Sequence, residues 1–360
     1  GDAPSAEGLA PLVGATPRLA ARLAALSPPG SVLVTAASQK LLRDAFELEA
    51  AGAQAVDGLA APLRLFRLVR EHGERAATPE APNPPLVGRD QEVELLLERF
   101  RRAAAGAGQS SLITGEPGIG KSRLVREVRA RLSREAHTLL EGRCSPDTQN
   151  SALYPIVDAL GRAFGLDREP DARAKAARLE ARLAGYGQPV DETLPLLLPL
   201  FCLPLGARQA PADASSPHHK RRTFDALLSL LFAAAEERPV LLLVEDLHWA
   251  DPTTIELLAQ LAREAPSAPL FVLLTARPEF APPFSTAGML QLHLGRLDPP
   301  RVAAMVAELT GHKALPAEVL EQVVGRTDGV PLFVEELTRV VLESGALVER
   351  EGRYELRAPL

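Results

Sequence analysis

The sequence has little cysteine and no long apolar run, and these absences exclude several classes of protein. Its two cysteines, Cys144 and Cys202, lie far apart among 360 residues. They indicate neither a disulfide framework nor a zinc site, and they suit a reducing compartment. The longest apolar stretch, residues 194–205, contains three prolines and is too short to cross a bilayer, and the N-terminus does not resemble a signal peptide. We therefore expect a cytoplasmic protein with no membrane partner.

An excess of basic charge is also absent. The formal net charge is -6, which gives no general attraction to nucleic acid. One short basic cluster, residues 218–222, opens a predicted helix and is interpreted as a solvated helix face. We expect no direct nucleic-acid binding by this chain.

Length and composition along the chain predict several domains. At 360 residues the chain is too long for one compact core. Residues 71–84 are charged and rich in proline and alanine, which predicts a linker. Residues 1–70 before it carry short alternating helices and strands, which predict a small α+β domain or part of a larger one.

Beyond the linker, strands alternate with helices over residues 85–296, which predicts an α/β fold with a parallel sheet. The pattern becomes purely helical over residues 297–345. A short hairpin in residues 346–360 is interpreted as the start of a following domain.

The most specific motif lies between a predicted strand and a predicted helix and fits G-x-x-x-x-G-K-[ST]. It consists of Gly115, Glu116, Pro117, Gly118, Ile119, Gly120, Lys121 and Ser122. In such a loop, backbone N–H groups turn inward onto phosphate oxygens, and the following helix presents its positive end to the same anion. Lys121 is expected to reach the outer phosphates and Ser122 to hold Mg²⁺.

Two further strands end in charged residues. An apolar run, residues 240–244, precedes Glu245 and Asp246, where a nucleoside triphosphatase needs one carboxylate for Mg²⁺ and another to polarise water. A second run, residues 270–275, is followed shortly by Arg277. This cation is a candidate contact to the γ-phosphate, with a surface salt bridge as the alternative.

These motifs, with Leu86-Val87-Gly88-Arg89 and residues 328–336, resemble the AAA-related signal-transduction (STAND-type) ATPases over residues 84 to about 345. The resemblance implies a P-loop NTPase core with a helical lid subdomain that binds ATP or ADP with Mg²⁺. Leu86 and Val87 would line the adenine pocket, and Gly329 with Pro331 would close over the nucleotide. Many relatives have Asp where this chain has Glu245, and which of Glu245 and Asp246 activates water stays open.

Residues 11–70 resemble the closing third of a class III adenylate/guanylate cyclase domain. Arg22 matches the family's transition-state arginine, whereas Arg18 replaces an asparagine that orients the ribose. The paired metal-binding aspartates of that family are expected upstream of Gly1. We therefore expect no cyclase activity from this chain alone.

Two functions fit the whole pattern. The favoured one is an ATP-binding, slowly hydrolysing signal-transduction switch within a larger adenylate cyclase-type regulator. The alternative is the ATPase module of a bacterial transcription regulator whose DNA-binding domain lies outside this chain. Either would work with other domains of a longer parent chain, and the resemblance allows for an ATP-dependent homo-oligomer.

Overall fold

The chain divides into two compact units, Gly1–Asn83 and Pro84–Leu360. The computed structural model describes residues 23–24, 27–28, 31–42, 46–54, 63–71, 86–206, 216–350 and 352–357. The cyclase-like positions Arg18 and Arg22 lie outside these residues, as does the predicted linker apart from its first residue. That residue, Glu71, is the last residue of a strand.

The first unit contains a three-stranded antiparallel sheet in the order β1-β3-β2. Its described elements are β1 (Val32–Thr35), α1 (Ala36–Leu42), β2 (Phe46–Gln54) and β3 (Leu63–Glu71). Leu65 of β3 is buried, and Leu33 and Leu63 pack beside it.

The second unit is built on a five-stranded parallel sheet in the order β5-β6-β7-β4-β8. The strands are β4 (Gln109–Gly115), β5 (Thr138–Arg143), β6 (Val240–Glu245), β7 (Leu270–Ala276) and β8 (Leu290–Leu294). The predicted α/β fold with a parallel sheet is confirmed. β8 escaped the sequence prediction because its Leu-Gln-Leu-His-Leu alternation belongs to a half-exposed edge strand rather than to a continuous apolar run.

Helices cover both faces of this sheet because successive side chains of its central strands point to opposite sides. Leu241 and Leu243 pack with one group of helices, and Leu242 and Val244 pack with the other. The helices are α2 (Asp90–Ala104), α3 (Lys121–Leu132), α4 (Tyr154–Ala163), α5 (Ala172–Gly185), α6 (Val190–Leu197), α7 (Pro217–Glu237) and α8 (Pro252–Glu264).

Helices α4, α5 and α6 form an insertion between β5 and α7, and they belong to the core rather than to the surface alone. Residues 172–184 consist of Ala, Arg, Leu, Glu and Lys, which predicts a solvated surface helix. Leu179 and Leu183 of α5 are nevertheless fully buried. Leu194 and Leu197 of α6 are buried with them, although Pro195 lies inside that helix. The insertion therefore supports the sheet.

A smaller helical subdomain follows the sheet and has its own core, which includes Val302, Met305, Val323 and Val334. It consists of α9 (Pro299–Leu309), α10 (Ala317–Thr327) and α11 (Pro331–Glu343). We call it the lid. The hairpin of β9 (Leu347–Arg350) and β10 (Arg353–Leu356) is joined to the lid, because the Tyr354 amide donates to the Ala314 carbonyl at 2.9 Å.

The packing of β5 against α4 leaves no room for a side chain at Gly142. A β-carbon there would lie 2.3 Å from the Pro155 carbonyl oxygen, a backbone atom of α4. We predict that Gly142→Ala lowers the free energy of unfolding by about 1–3 kcal/mol, because helix and strand must separate to admit one methyl group.

The matched control is Gly161→Ala in α4, where the added β-carbon would meet Phe201 at an ordinary 3.6 Å. It should be neutral or stabilising by up to about 1 kcal/mol. Urea unfolding of both variants checks the prediction, and equal stability of the two would contradict it.

Candidate functional site

The carboxyl ends of the parallel strands bring the predicted site residues to one edge of the sheet. Arg143 at the end of β5 is in register with Glu245 at the end of β6. On β4, Thr114 is in register with Ala276 of β7, so Gly115 lies level with the residue after β7. Parallel pairing thus gathers the phosphate loop, the acidic strand end and Arg277 in one place.

Residues 116–120 turn from β4 into α3, with positive φ angles at Gly118 (76°) and Gly120 (102°). Lys121 is the first residue of α3 and is buried, and its Nζ donates to the main-chain carbonyls of Gly115 at 2.7 Å and Glu116 at 3.1 Å. Burial lowers the pKa of Lys121, while the nearby carboxylate of Asp246 opposes that shift. The ammonium is therefore held inside the loop.

Ser122 and Glu245 are joined directly. The Ser122 hydroxyl donates to Glu245 Oε2 at 2.5 Å, and Glu245 is almost entirely buried at the end of β6. Hydroxyl and carboxylate oxygens are ligands that suit Mg²⁺, which commonly takes one or two protein oxygens together with substrate phosphates. The described residues contain no cluster of three or more His, Cys, Asp or Glu side chains that could hold a metal ion by themselves.

Asp246 lies beside this pair but has different partners. Its backbone is left-handed, with φ of 61°, and its amide donates to Thr275 Oγ1 at 3.0 Å. Its carboxylate lies 3.2 Å from Arg143 Nη2. Arg143 was not predicted as a site residue; the signal for it was its place at the end of a strand adjacent to β6. The two acids therefore have separate environments.

Arg277 follows β7, and its guanidinium lies 5.6 Å from the centre of the Trp249 ring. His248 is next to this pair, and burial together with the charge of Arg277 lowers the pKa of its imidazole. His248 Nδ1 is buried and makes no hydrogen bond among the described residues. An imidazole and a tryptophan thus complete this side of the site, and neither was predicted as a site residue.

A narrow cavity of about 30 Å³ lies between the core and the lid. It is lined by Leu86, Val87, Arg89, Ile119, Gly120, Arg123, Leu297, Met305 and Pro331. The structure thus brings Leu86, Val87 and Pro331 together around one cavity. Arg123 was not predicted, and its Nη2 is buried without a hydrogen-bond partner among the described residues.

The lid touches the phosphate loop itself. The Leu332 amide at the start of α11 donates to the Gly118 carbonyl at 3.2 Å. Just before it, Gly329 has a φ of 71° and accepts a hydrogen bond from the Leu297 amide at 2.8 Å. A β-carbon at Gly329 would lie 2.2 Å from the Leu297 carbonyl oxygen, so only glycine fits this turn.

The basic cluster at residues 218–222 lies elsewhere, in the first turns of α7. Lys220 of this cluster is paired with Glu256 of α8 at 2.5 Å. The cluster borders a separate cavity of about 880 Å³, to which no phosphate-loop residue contributes. Despite its size, this cavity is therefore not part of the site described above.

Comparison with known proteins identifies the family. Residues 85–273, more than half of the chain, match the family model described as AAA ATPase domain. The chain belongs to this family. Membership implies a P-loop ATPase module that binds nucleotide, typically with Mg²⁺.

Three individual relatives share at most 30% of their aligned residues with this chain. An uncharacterized protein of Rhizobium meliloti (strain 1021) is 30% identical over an alignment of 344 residues, and the match covers 93% of this chain and 33% of that protein. The chain therefore spans about a third of the length of this relative.

Among solved structures, the chain is similar to the ORC1 protein of Aeropyrum pernix in complex with DNA, at 14% identity and a TM-score of 0.46, over 77% of this chain and 65% of that one. It is also similar to a signal transduction ATPase with numerous domains (STAND) and a tetratricopeptide repeat sensor from Pyrococcus horikoshii. That match has 17% identity and a TM-score of 0.38, over 69% of this chain and 29% of the other. Likeness at these values carries no functional argument.

Within the residues that the structure describes, no helix combines the length and apolarity needed to cross a membrane.

Proposed function

We propose that the chain is an ATP-binding and slowly hydrolysing switch module. The observation that carries the proposal is the convergence of Lys121, Ser122 and Glu245 beside the phosphate loop, within a chain of the AAA ATPase domain family. The loop amides and the N-terminus of α3 would hold the phosphates of ATP. Lys121 would exchange its carbonyl partners for phosphate oxygens, because charged partners give stronger hydrogen bonds.

The Ser122 hydroxyl and the Glu245 carboxylate fit a magnesium ion, since both are oxygen ligands and already lie within hydrogen-bond distance of each other. Ser122 and Glu245 would hold the ion, which would supply positive charge to offset the negative charge of the outer phosphates. Asp246 is not engaged by Ser122, and we assign it to orient the attacking water. Arg277 would contact the γ-phosphate in exchange for part of its contact with Trp249.

The switch is proposed to be the lid. A cavity of about 30 Å³ holds about one water molecule and is too small for a purine base. Its walls come from both core and lid, with Leu86 and Val87 on one side and Leu297, Met305 and Pro331 on the other. Entry of adenine therefore requires this cavity to widen, which movement of α9 relative to the core would allow. ATP would shift the equilibrium between two lid positions toward the one that binds it more tightly, which is how a ligand drives a conformational switch.

We further propose that the module serves a longer regulator. The chain spans a third of its Rhizobium meliloti relative, which leaves room for other domains in a parent of that size. Residues 1–70 would be the end of a class III cyclase domain, a proposal that rests on their sequence resemblance. Their described part is a small antiparallel sheet with one helix.

The first prediction concerns Lys121. Lys121→Ala should weaken ATP binding by about 10- to 100-fold, because it removes a buried charge from the phosphate loop. Trp249 is the single tryptophan of the chain, and its contact with Arg277 makes its fluorescence a reporter of binding.

The matched control is Lys313→Ala, which removes an exposed lysine paired with Glu349 in the hairpin. It should bind ATP like the wild type. Equal affinity of Lys121→Ala and Lys313→Ala, measured by fluorescence titration and calorimetry, would contradict the proposed site.

The second prediction separates the two acids. Asp246→Asn should keep ATP affinity within about threefold and lower phosphate release by about 100-fold or more, because it loses the carboxylate that orients water. Glu245→Gln should instead raise the Mg²⁺ concentration needed for tight ATP binding.

Glu141→Gln is the control, since Glu141 lies on β5 in an ion pair with Arg129 and away from the loop. Phosphate-release assays at several Mg²⁺ concentrations check the assignment. Hydrolysis by Asp246→Asn at the wild-type rate would show that the assignment is wrong.

The third prediction concerns the cyclase-like segment. The purified chain should form no cyclic AMP from ATP with Mg²⁺ or Mn²⁺, because the paired metal-binding aspartates of the cyclase family precede the part that residues 1–70 match, and cyclisation depends on metal charge. The product is measured by chromatography, with an active class III cyclase assayed in parallel. Cyclic AMP in amounts that rise with chain concentration would overturn the prediction.

A further inference from the structure

Arg296 connects the phosphate loop to the lid through a pair of carboxylates. Its Nε and Nη2 lie 3.1 and 3.0 Å from Glu116 Oε2, and Nη2 also lies 3.2 Å from Oε1. Its Nη1 donates to Asp328 Oδ2. One planar cation therefore joins the second residue of the phosphate loop to the turn that precedes α11.

The position of Arg296 follows from the fold. It comes two residues after β8, whose last residue, Leu294, is in register with Gly115 at the start of the phosphate loop. The next residue, Leu297, already belongs to the lid core and donates to Gly329. Arg296 thus lies where the chain passes from core to lid, within reach of both.

The charges explain why a cation is needed at this point. Glu116 places a carboxylate at the loop where ATP would bring several negatively charged phosphates. A positive charge nearby is needed to offset the repulsion between the carboxylate and the phosphates. Asp328 places a second carboxylate at the end of α10, in a left-handed backbone conformation with φ of 48°. Arginine can serve both at once because its fork carries several donors in fixed directions, which a lysine ammonium lacks.

We propose that Arg296 is a positioning residue of the nucleotide site. Its guanidinium fixes the turn at residues 328–331 relative to the phosphate loop, so that the Leu332 amide stays on the Gly118 carbonyl and the lid closes over a bound nucleoside triphosphate. The inference rests on the proposed function for the identity of the ligand. The bridge itself is defined without any ligand.

The first arm of the test uses the chain without nucleotide. Hydrogen exchange of the Leu332 amide should be about three- to tenfold faster in Arg296→Ala than in the wild type, the range expected for loss of two partly exposed ion pairs. Glu116→Gln and Asp328→Asn should each give part of this effect, and Arg296→Lys should be intermediate. Asn tolerates the left-handed backbone at 328.

Because the three residues act as one bridge, their effects should not add. The triple variant should exchange no faster than Arg296→Ala alone. The difference between variant and wild type should shrink at about 1 M salt, where the Debye length is about 3 Å. Arg339→Ala is the control, since Arg339 forms exposed ion pairs with Glu335 and Glu336 on α11 itself.

The second arm measures dissociation of ATP, with Trp249 fluorescence as the signal. Arg296→Ala should release ATP about three- to tenfold faster, and Arg339→Ala should release it at the wild-type rate.

Unchanged Leu332 exchange in Arg296→Ala would overturn the bridge, whether or not the chain binds ATP. Faster exchange with unchanged ATP release would overturn the positioning role. Failure of the wild type to bind ATP would count against the proposed function, while the first arm would still decide the bridge.

Discussion

The parallel hydrogen bonding of β4, β6 and β7 is the constraint on which the rest of the structure depends. Its register makes these strands end at one edge of the sheet. At that edge the chain leaves the buried sheet, so polar side chains can be accommodated there. Lys121, Ser122 and Glu245 meet there because Gly115 ends β4 and Glu245 ends β6, and only β7 lies between these two strands. Helices on both faces, including the insertion α4–α6, keep that edge in place.

The second constraint is that the lid contacts the loop through backbone as well as side chains. Gly329 approaches Leu297 so closely that no side chain fits, and α11 begins with an amide bonded to Gly118. The phosphate loop and the first turn of α11 are therefore joined by the main chain itself. The small cavity between Val87 and Pro331 is likewise walled by residues of both the core and the lid.

The sequence predicts local features well and long-range partners poorly. The phosphate loop is a contiguous motif, and β6 and β7 are continuous apolar runs, so both could be found without knowing the fold. Arg143 lies at the end of a strand and Arg123 directly follows the phosphate loop. The contacts that bring them and Arg296 to the site nevertheless form only when distant segments come together. β8 was missed because an edge strand buries one face only, and α6 was missed because Pro195 lies inside a helix. The roles assigned to Glu245, Asp246 and Arg277 stay predictions.

The most direct measurement is a crystal structure of the chain with Mg²⁺ and a non-hydrolysable ATP analogue. The account predicts phosphates on the backbone amides of residues 118–121 and Mg²⁺ on the Ser122 hydroxyl. It also predicts adenine between Val87 and Met305 in a cavity widened by movement of α9, with the Leu332 amide still bonded to the Gly118 carbonyl. Nucleotide bound away from the phosphate loop would contradict the account. So would adenine bound with α9 in the position described here.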